Sequence, residues 1–64
     1  MKINGEIIEL ATPITLAALL AEKGFQTKRI AVERNGEIVP KSEYETTMLQ
    51  NDDVLEVVSF VGGG

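Results

Sequence analysis

The apolar positions of the first ten residues, MKINGEIIEL, fall into two short β-rich runs, Lys2 to Asn4 and Glu6 to Leu10, broken at Asn4-Gly5. Asn-Gly readily takes positive φ at both residues, so the break reads as a hairpin turn. Ile7 and Ile8 are adjacent, and only one of them can share a face with Leu10, which leaves the hairpin register open. The period then changes. In TLAALLAEKG, Leu16, Leu19, Leu20 and Lys23 form one stripe at helical spacing, with Ala17, Ala18, Ala21 and Glu22 elsewhere around the wheel. Thr15 is suited to cap this helix and Gly24 to end it in a left-handed conformation, while Thr12 followed by Pro13 offers a rival start one turn earlier. From Arg29 the alternation returns to period two, with Ile30 and Val32 on one face and Ala31 and Glu33 on the other. Asn35-Gly36 marks a second turn into Glu37-Ile38-Val39, and Pro40 stops that strand or holds it at an edge. KSEYETTMLQ is irregular, with a single helical turn over Ser42 to Tyr44, and Asn51-Asp52-Asp53 turns the chain into a final strand, VLEVVSFV.

In that last strand Leu55, Val57, Ser59 and Val61 share one face, and Val54, Glu56, Val58 and Phe60 the other. Glu56 belongs in water, which assigns Leu55 and Val57 to the core and leaves Val58 and Phe60 outside, close to the chain's end. Two readings of Phe60 stand side by side: a docking patch for a partner, or a ring that covers the sheet edge or a neighbouring strand. The order strand, strand, helix, strand, short strand, strand, with one helix stripe to cover one sheet face, predicts an α+β β-grasp (ubiquitin-like) fold. A mixed sheet of four to five strands with one main helix is expected over residues 1–61, followed by a flexible glycine tail, 62–64.

Composition narrows the chemistry. A chain of 64 residues is expected to form one domain burying about 60% of its unfolded surface. Ordering it costs on the order of 1.5 kcal/mol per residue, and no cysteine supplies a disulfide. Hydrophobic residues make up 44% of the chain, enough for a core, and a net charge of −4 disfavours nucleic acid and anionic lipid as partners. Neither a signal peptide nor a membrane span is legible, so a cytoplasmic location is expected. Histidine and cysteine are absent, which removes imidazole bases, thiolate nucleophiles and the usual zinc sites. Ten carboxylates remain, but a chain this short has no room for the deep cleft that a two-carboxylate hydrolase needs. Glu43, Glu45, Asp52 and Asp53 read as solvated surface, with a lesser reading in which some meet basic groups on a partner and speed encounter.

The ending SFVGGG carries the remaining chemistry. Three glycines cannot dock on their own core, so the tail is a frayed end, a leftover linker or an arm meant for another protein. Extended, Val61 to Gly64 would reach about 13 Å at roughly 3.3 Å per residue, through a slot too narrow for side chains. The α-carboxylate of Gly64, ionised at neutral pH with an ordinary pKa near 3.5, is a poor acyl donor until it is activated.

SFVGGG, together with NDDVLEVV and ERNGEIVPKSEY, closely resembles the ThiS family of sulfur carriers in thiamine biosynthesis, over essentially the whole chain. The resemblance implies a protein co-substrate and not an enzyme. An E1-like adenylyltransferase of the ThiF type would use ATP and magnesium to adenylate Gly64, and a cysteine desulfurase relay would supply the sulfur that replaces AMP. Thiazole synthase of the ThiG type would then take that sulfur. On this reading Gly63 and Gly64 enter the partner's active site, Gly62 gives slack, and Val58 and Phe60 dock; the chain itself binds no cofactor. A terminal Gly-Gly is shared with ubiquitin-like modifiers and with the small subunit of molybdopterin synthase, and a passive binding module is a third possibility.

Overall fold

A computed structural model describes residues 1–60. Its strands are β1 (Lys2–Ile3), β2 (Glu6–Ile7), β3 (Ile14–Thr15), β4 (Ile30–Arg34), β5 (Glu37–Ile38), β6 (Met48–Leu49) and β7 (Val54–Ser59), with one α-helix, α1 (Leu16–Glu22). Short 3₁₀ turns occupy Thr27–Arg29 and Lys41–Glu43, the second starting one residue before the turn expected from sequence. The main sheet has five strands in the order β2-β1-β7-β4-β5. β1 runs parallel to β7 and the other pairs are antiparallel, giving the expected mixed β-grasp sheet with the last strand at its centre.

Both Asn-Gly turns form as the sequence implied. Asn4 and Gly5 have φ of 50° and 83°, and Asn35 and Gly36 have φ of 52° and 86°, the paired left-handed geometry whose twist suits a two-residue hairpin. The first hairpin's register is now settled. Lys2 pairs with Ile7, so Ile7 lies on the outer face and is 76% exposed. Ile8 donates its N–H to the Met1 carbonyl at 2.8 Å and packs with Leu10 against the core.

Thr15, not Thr12, caps the helix, its Oγ1 accepting from Ala18 N at 3.1 Å. The rival start fails because Ile14 and Thr15 are extended in β3, paired with Leu49 and Met48 of β6. Sequence reading missed this ribbon, whose strands are two residues long and too short to show a period. It matters locally: Leu16 N donates to Thr47 O and Ala17 N to Tyr44 O, both at 2.8 Å, so two helix-start donors that lack an intrahelical acceptor are satisfied. At the other end Gly24, at φ 83°, donates to Ala21 O, and Phe25 N donates to Leu20 O at 2.9 Å, closing the helix with a Schellman motif.

Leu16, Leu19 and Leu20 of α1 are buried over Ile3, Ile30, Val32, Leu55 and Val57 of the sheet, and Val39, Tyr44 and Leu49 close the core from the β5–β6 side. Removing a large apolar side chain from water is worth about 1.5–3 kcal/mol, so these contacts dominate the stability. The core face of β7 ends at Val57, since Ser59 is exposed. Lys23, on the helix stripe, reaches Glu6 at 3.7 Å in an exposed pair of little energetic weight.

One acidic residue departs from expectation. Asp53 is not solvated surface; it is 4% exposed. Its carboxylate accepts from Gln50 N at 2.8 Å, Asn35 Nδ2 at 3.0 Å and Arg34 Nη2 at 3.1 Å. A buried carboxylate persists only when its oxygens are satisfied in this way.

Candidate functional site

The chain's final described residues run along the sheet's central strand. Asn35 N donates to Val54 O at 2.8 Å and Phe60 N to Arg29 O at 2.7 Å, so β7 stays in register with the β4 side through residue 60. On the opposite side β1 is short. The Asn4 carboxamide takes the place of its next residue, accepting from Val57 N at 2.7 Å and donating to Val57 O at 3.2 Å. Asn51 does the same for the backbone of Leu10, at 2.9 and 3.2 Å. Each carboxamide acts as a peptide group where the chain cannot supply one, and the Asn4 pair anchors β7 three residues before Phe60.

Val58 and Phe60 lie on the outer face, 55% and 53% exposed, as the alternation along the strand implied. Half-exposed and paired through its backbone to Arg29, Phe60 is outside the core. The structure brings it together with neighbours that sequence reading did not single out. Val58 stands opposite Ala31, Glu56 opposite Glu33, Glu33 opposite Ile38, and Val54 opposite Lys2. Ile7, Ile38 and Val54 are exposed as well, at 76%, 71% and 46%, so exposed apolar groups recur on this face from β2 at one edge through β7 at the centre to β5 at the other edge, while β1 contributes Lys2. The face thus mixes exposed apolar groups with a few charges. Gly62, Gly63 and Gly64, and with them Val61 and the boundary between domain and tail, lie outside the described residues.

The electrostatics around the base of β7 are organised by Asp53. Burial by itself raises its pKa, but the hydrogen bonds from Gln50 N, Asn35 and Arg34, with the guanidinium charge, outweigh that and hold the carboxyl below the ordinary aspartate value. Asn35 completes the link by accepting from Val54 N at 2.9 Å, so the β4–β5 turn is tied to the first residue of β7. At the far end of the core, burial pushes the Tyr44 hydroxyl above its ordinary pKa.

With this geometry in place, comparison with known sequences is decisive. The sequence model described as the ThiS family matches residues 1–64. The chain belongs to the ThiS family. Its ThiS-family relatives include the sulfur carrier protein ThiS of Bacillus subtilis, 38% identical over 65 residues that cover 100% of this chain and 98% of that one. A thiazole synthase of Paramagnetospirillum magneticum is 48% identical over 62 residues, covering 97% of this chain; the chain spans only 19% of that longer protein. A second thiazole synthase, from Magnetococcus marinus, matches over 62 residues at 44% identity, again across 19% of its length. Among solved structures, the crystal structure of thiamine biosynthesis protein ThiS from Geobacter metallireducens superposes with a TM-score of 0.76 at 30% identity, covering 98% of this chain and 96% of that one.

Proposed function

We propose that this ThiS-family chain is a sulfur carrier for thiazole formation in thiamine biosynthesis: a protein co-substrate, itself without catalytic activity, that carries sulfur on the terminal carbonyl carbon of Gly64. The observation that carries the reading is the family match along residues 1–64, which includes the three terminal glycines of the sequence. The two relatives named thiazole synthase, each matched over a fifth of its length, support thiazole synthase as the acceptor of the sulfur.

The chemistry follows from what a carboxylate lacks. An oxygen of the Gly64 carboxylate attacks the α-phosphorus of ATP and the bond to pyrophosphate breaks, so the carbonyl carbon gains AMP as a leaving group. The terminal sulfur of a persulfide supplied by a cysteine desulfurase relay forms the C–S bond as the C–O bond to AMP breaks, giving an acyl disulfide. A thiol then attacks the relay-side sulfur, the S–S bond breaks, the thiocarboxylate leaves on Gly64, and the thiol and relay cysteine are left as a disulfide. An E1-like adenylyltransferase supplies the nucleotide site, the magnesium and the cations, and this chain supplies reach and docking. Gly63 and Gly64 pass into the partner's active site, Gly62 provides slack, and Val58 with Phe60 seats the domain so that the carboxylate meets the nucleotide in line. A carrier without cysteine has no thiol of its own to exchange with its cargo. Among the described residues no helix is long and apolar enough to cross a membrane, and the cytoplasm is the compartment proposed.

Intact-mass measurement tests this directly. After incubation with the adenylyltransferase, ATP and a sulfur source, one oxygen should be replaced by one sulfur at Gly64. Attachment to a lysine would instead indicate a ubiquitin-like modifier. A chain extended by one residue beyond Gly64 should fold normally and gain no sulfur; a thiocarboxylate on the extended protein would refute the mechanism.

A further inference from the structure

The apolar outer face is interrupted at its centre by two carboxylates that face each other. The β4–β7 ladder alternates between pairs joined by two hydrogen bonds and pairs joined by none. Asn35 with Val54 and Arg29 with Phe60 mark the hydrogen-bonded pairs, so Glu33 with Glu56, which falls in the same parity, is another. Their Cβ atoms are therefore about 5 Å apart, pointing out of the sheet, and like charges placed so destabilise the pair. Among the described residues neither glutamate forms a salt bridge; the ion pairs present are Lys23 with Glu6 and Arg34 with Asp53. Two cations share this alternation: Lys2 stands opposite Ile7 and Val54, one row away, and Arg29 stands opposite Phe60, two rows away in the other direction. Among the described residues neither forms an ion pair with Glu33 or Glu56.

The placement constrains what can cover the patch. Glu56 lies between Val54 and Val58 on one strand, and Glu33 lies beside Ile38, so a partner that buries these apolar groups must also bury both carboxylates. Desolvating two adjacent anions without a counter-charge would cost more than the apolar contacts return. Resting on the carrier reading above, we infer that the E1-like adenylyltransferase docks on this face through a cationic group, an arginine, inserted between Glu33 and Glu56 and ringed by apolar contacts to Val58, Ile38 and Val54. A guanidinium is planar and offers five donors, so it can bridge two carboxylates at this spacing where an ammonium acts as a point charge. The repulsion carried by the free protein is thus relieved only in the complex.

The inference is tested with Glu33→Gln, Glu56→Gln and, as a control on the helix side, Glu45→Gln, each measured for thermal midpoint, for affinity to the adenylyltransferase at two salt concentrations, and for adenylation at saturating partner. Removing one of two opposed charges should raise Tm by roughly 2–4 °C. The same change should weaken binding by about tenfold or more, chiefly through faster dissociation, with adenylation retained once the partner saturates. Glu45→Gln should leave affinity unchanged. Glu33 and Glu56 variants that bind as tightly as the parent while still being adenylated overturn the inference and leave the carrier reading standing. So does an equal loss in Glu45→Gln, which would mean long-range attraction and not a local bridge. Failure of the unmodified chain to be bound or adenylated overturns the carrier reading, and this inference with it.

Discussion

Replacing Asp53 should be among the most damaging single changes outside the apolar core. In Asp53→Ala the donors Gln50 N, Asn35 Nδ2 and Arg34 Nη2 lose the carboxylate at a site only 4% exposed, and Arg34 Nη2 keeps only the longer bond to the Met48 carbonyl at 3.4 Å. Hydrogen bonds to a charged group contribute about 1.5–3 kcal/mol each, and removing one member of a buried ion pair costs about 3–5 kcal/mol. Both figures must be reduced here, because the Arg34 side chain is 33% exposed and water can replace its lost partner. A loss of about 2–4 kcal/mol remains. A domain of this length holds only about 3–10 kcal/mol in total, so Asp53→Ala should approach the unfolding threshold at 37 °C. Asp53→Asn keeps an acceptor for Gln50 N and should cost less, about 1–2 kcal/mol.

The acid limb separates charge from shape in that comparison. Asp53 titrates below its unfolded value of about 3.9, so the unfolded state binds the proton more readily. The stability from this group is therefore fully present above about pH 4 and is lost as the pH falls through the lower folded-state pKa. Urea unfolding followed by circular dichroism from pH 2 to 7 should show the parent converging on Asp53→Asn as the pH drops. Equal acid slopes in the two proteins, or a loss below about 0.5 kcal/mol for Asp53→Ala at pH 7, would refute the account of this network.

Two further substitutions test the frame around the outer face of the sheet. Asn4→Ala removes both carboxamide bonds to Val57 and places alanine at φ 50°, so a loss of about 2 kcal/mol is expected; chemical denaturation checks it, and a change within error would mean water replaces the amide without penalty. Phe60→Ala, at a half-exposed position, should cost about 1 kcal/mol or less in stability, yet weaken binding to the adenylyltransferase about tenfold, as calorimetry would read; the opposite ranking would place Phe60 among the residues that hold the fold.

Much of this architecture is written in local pattern. Asn4-Gly5 and Asn35-Gly36 specify their turns because few other dipeptides tolerate positive φ twice. The leucine spacing of α1, Thr15 and Gly24 specify a capped helix, and the alternation along Val54 to Ser59 divides core from outer face before any contact is known. Each of these signals acts within a few residues, where sequence and geometry are directly coupled. Val58 and Phe60 were legible as outer-face residues for the same reason. Ile7 against Ile8 was not, since strand periodicity cannot choose between neighbours until a partner strand sets the register. The β3–β6 ribbon escaped because its pairing joins residues more than thirty positions apart, with strands too short to show a period. Asp53 was misread because its burial depends on Arg34 and Asn35, which arrive from another hairpin. Sequence by itself therefore determined the two Asn-Gly turns, the capped helix and its stripe, the two faces of the last strand and the glycines that follow it. Only the tertiary structure decided which carboxylate is buried and which two face each other across the sheet, because charge and exposure depend on neighbours that the chain brings together from a distance.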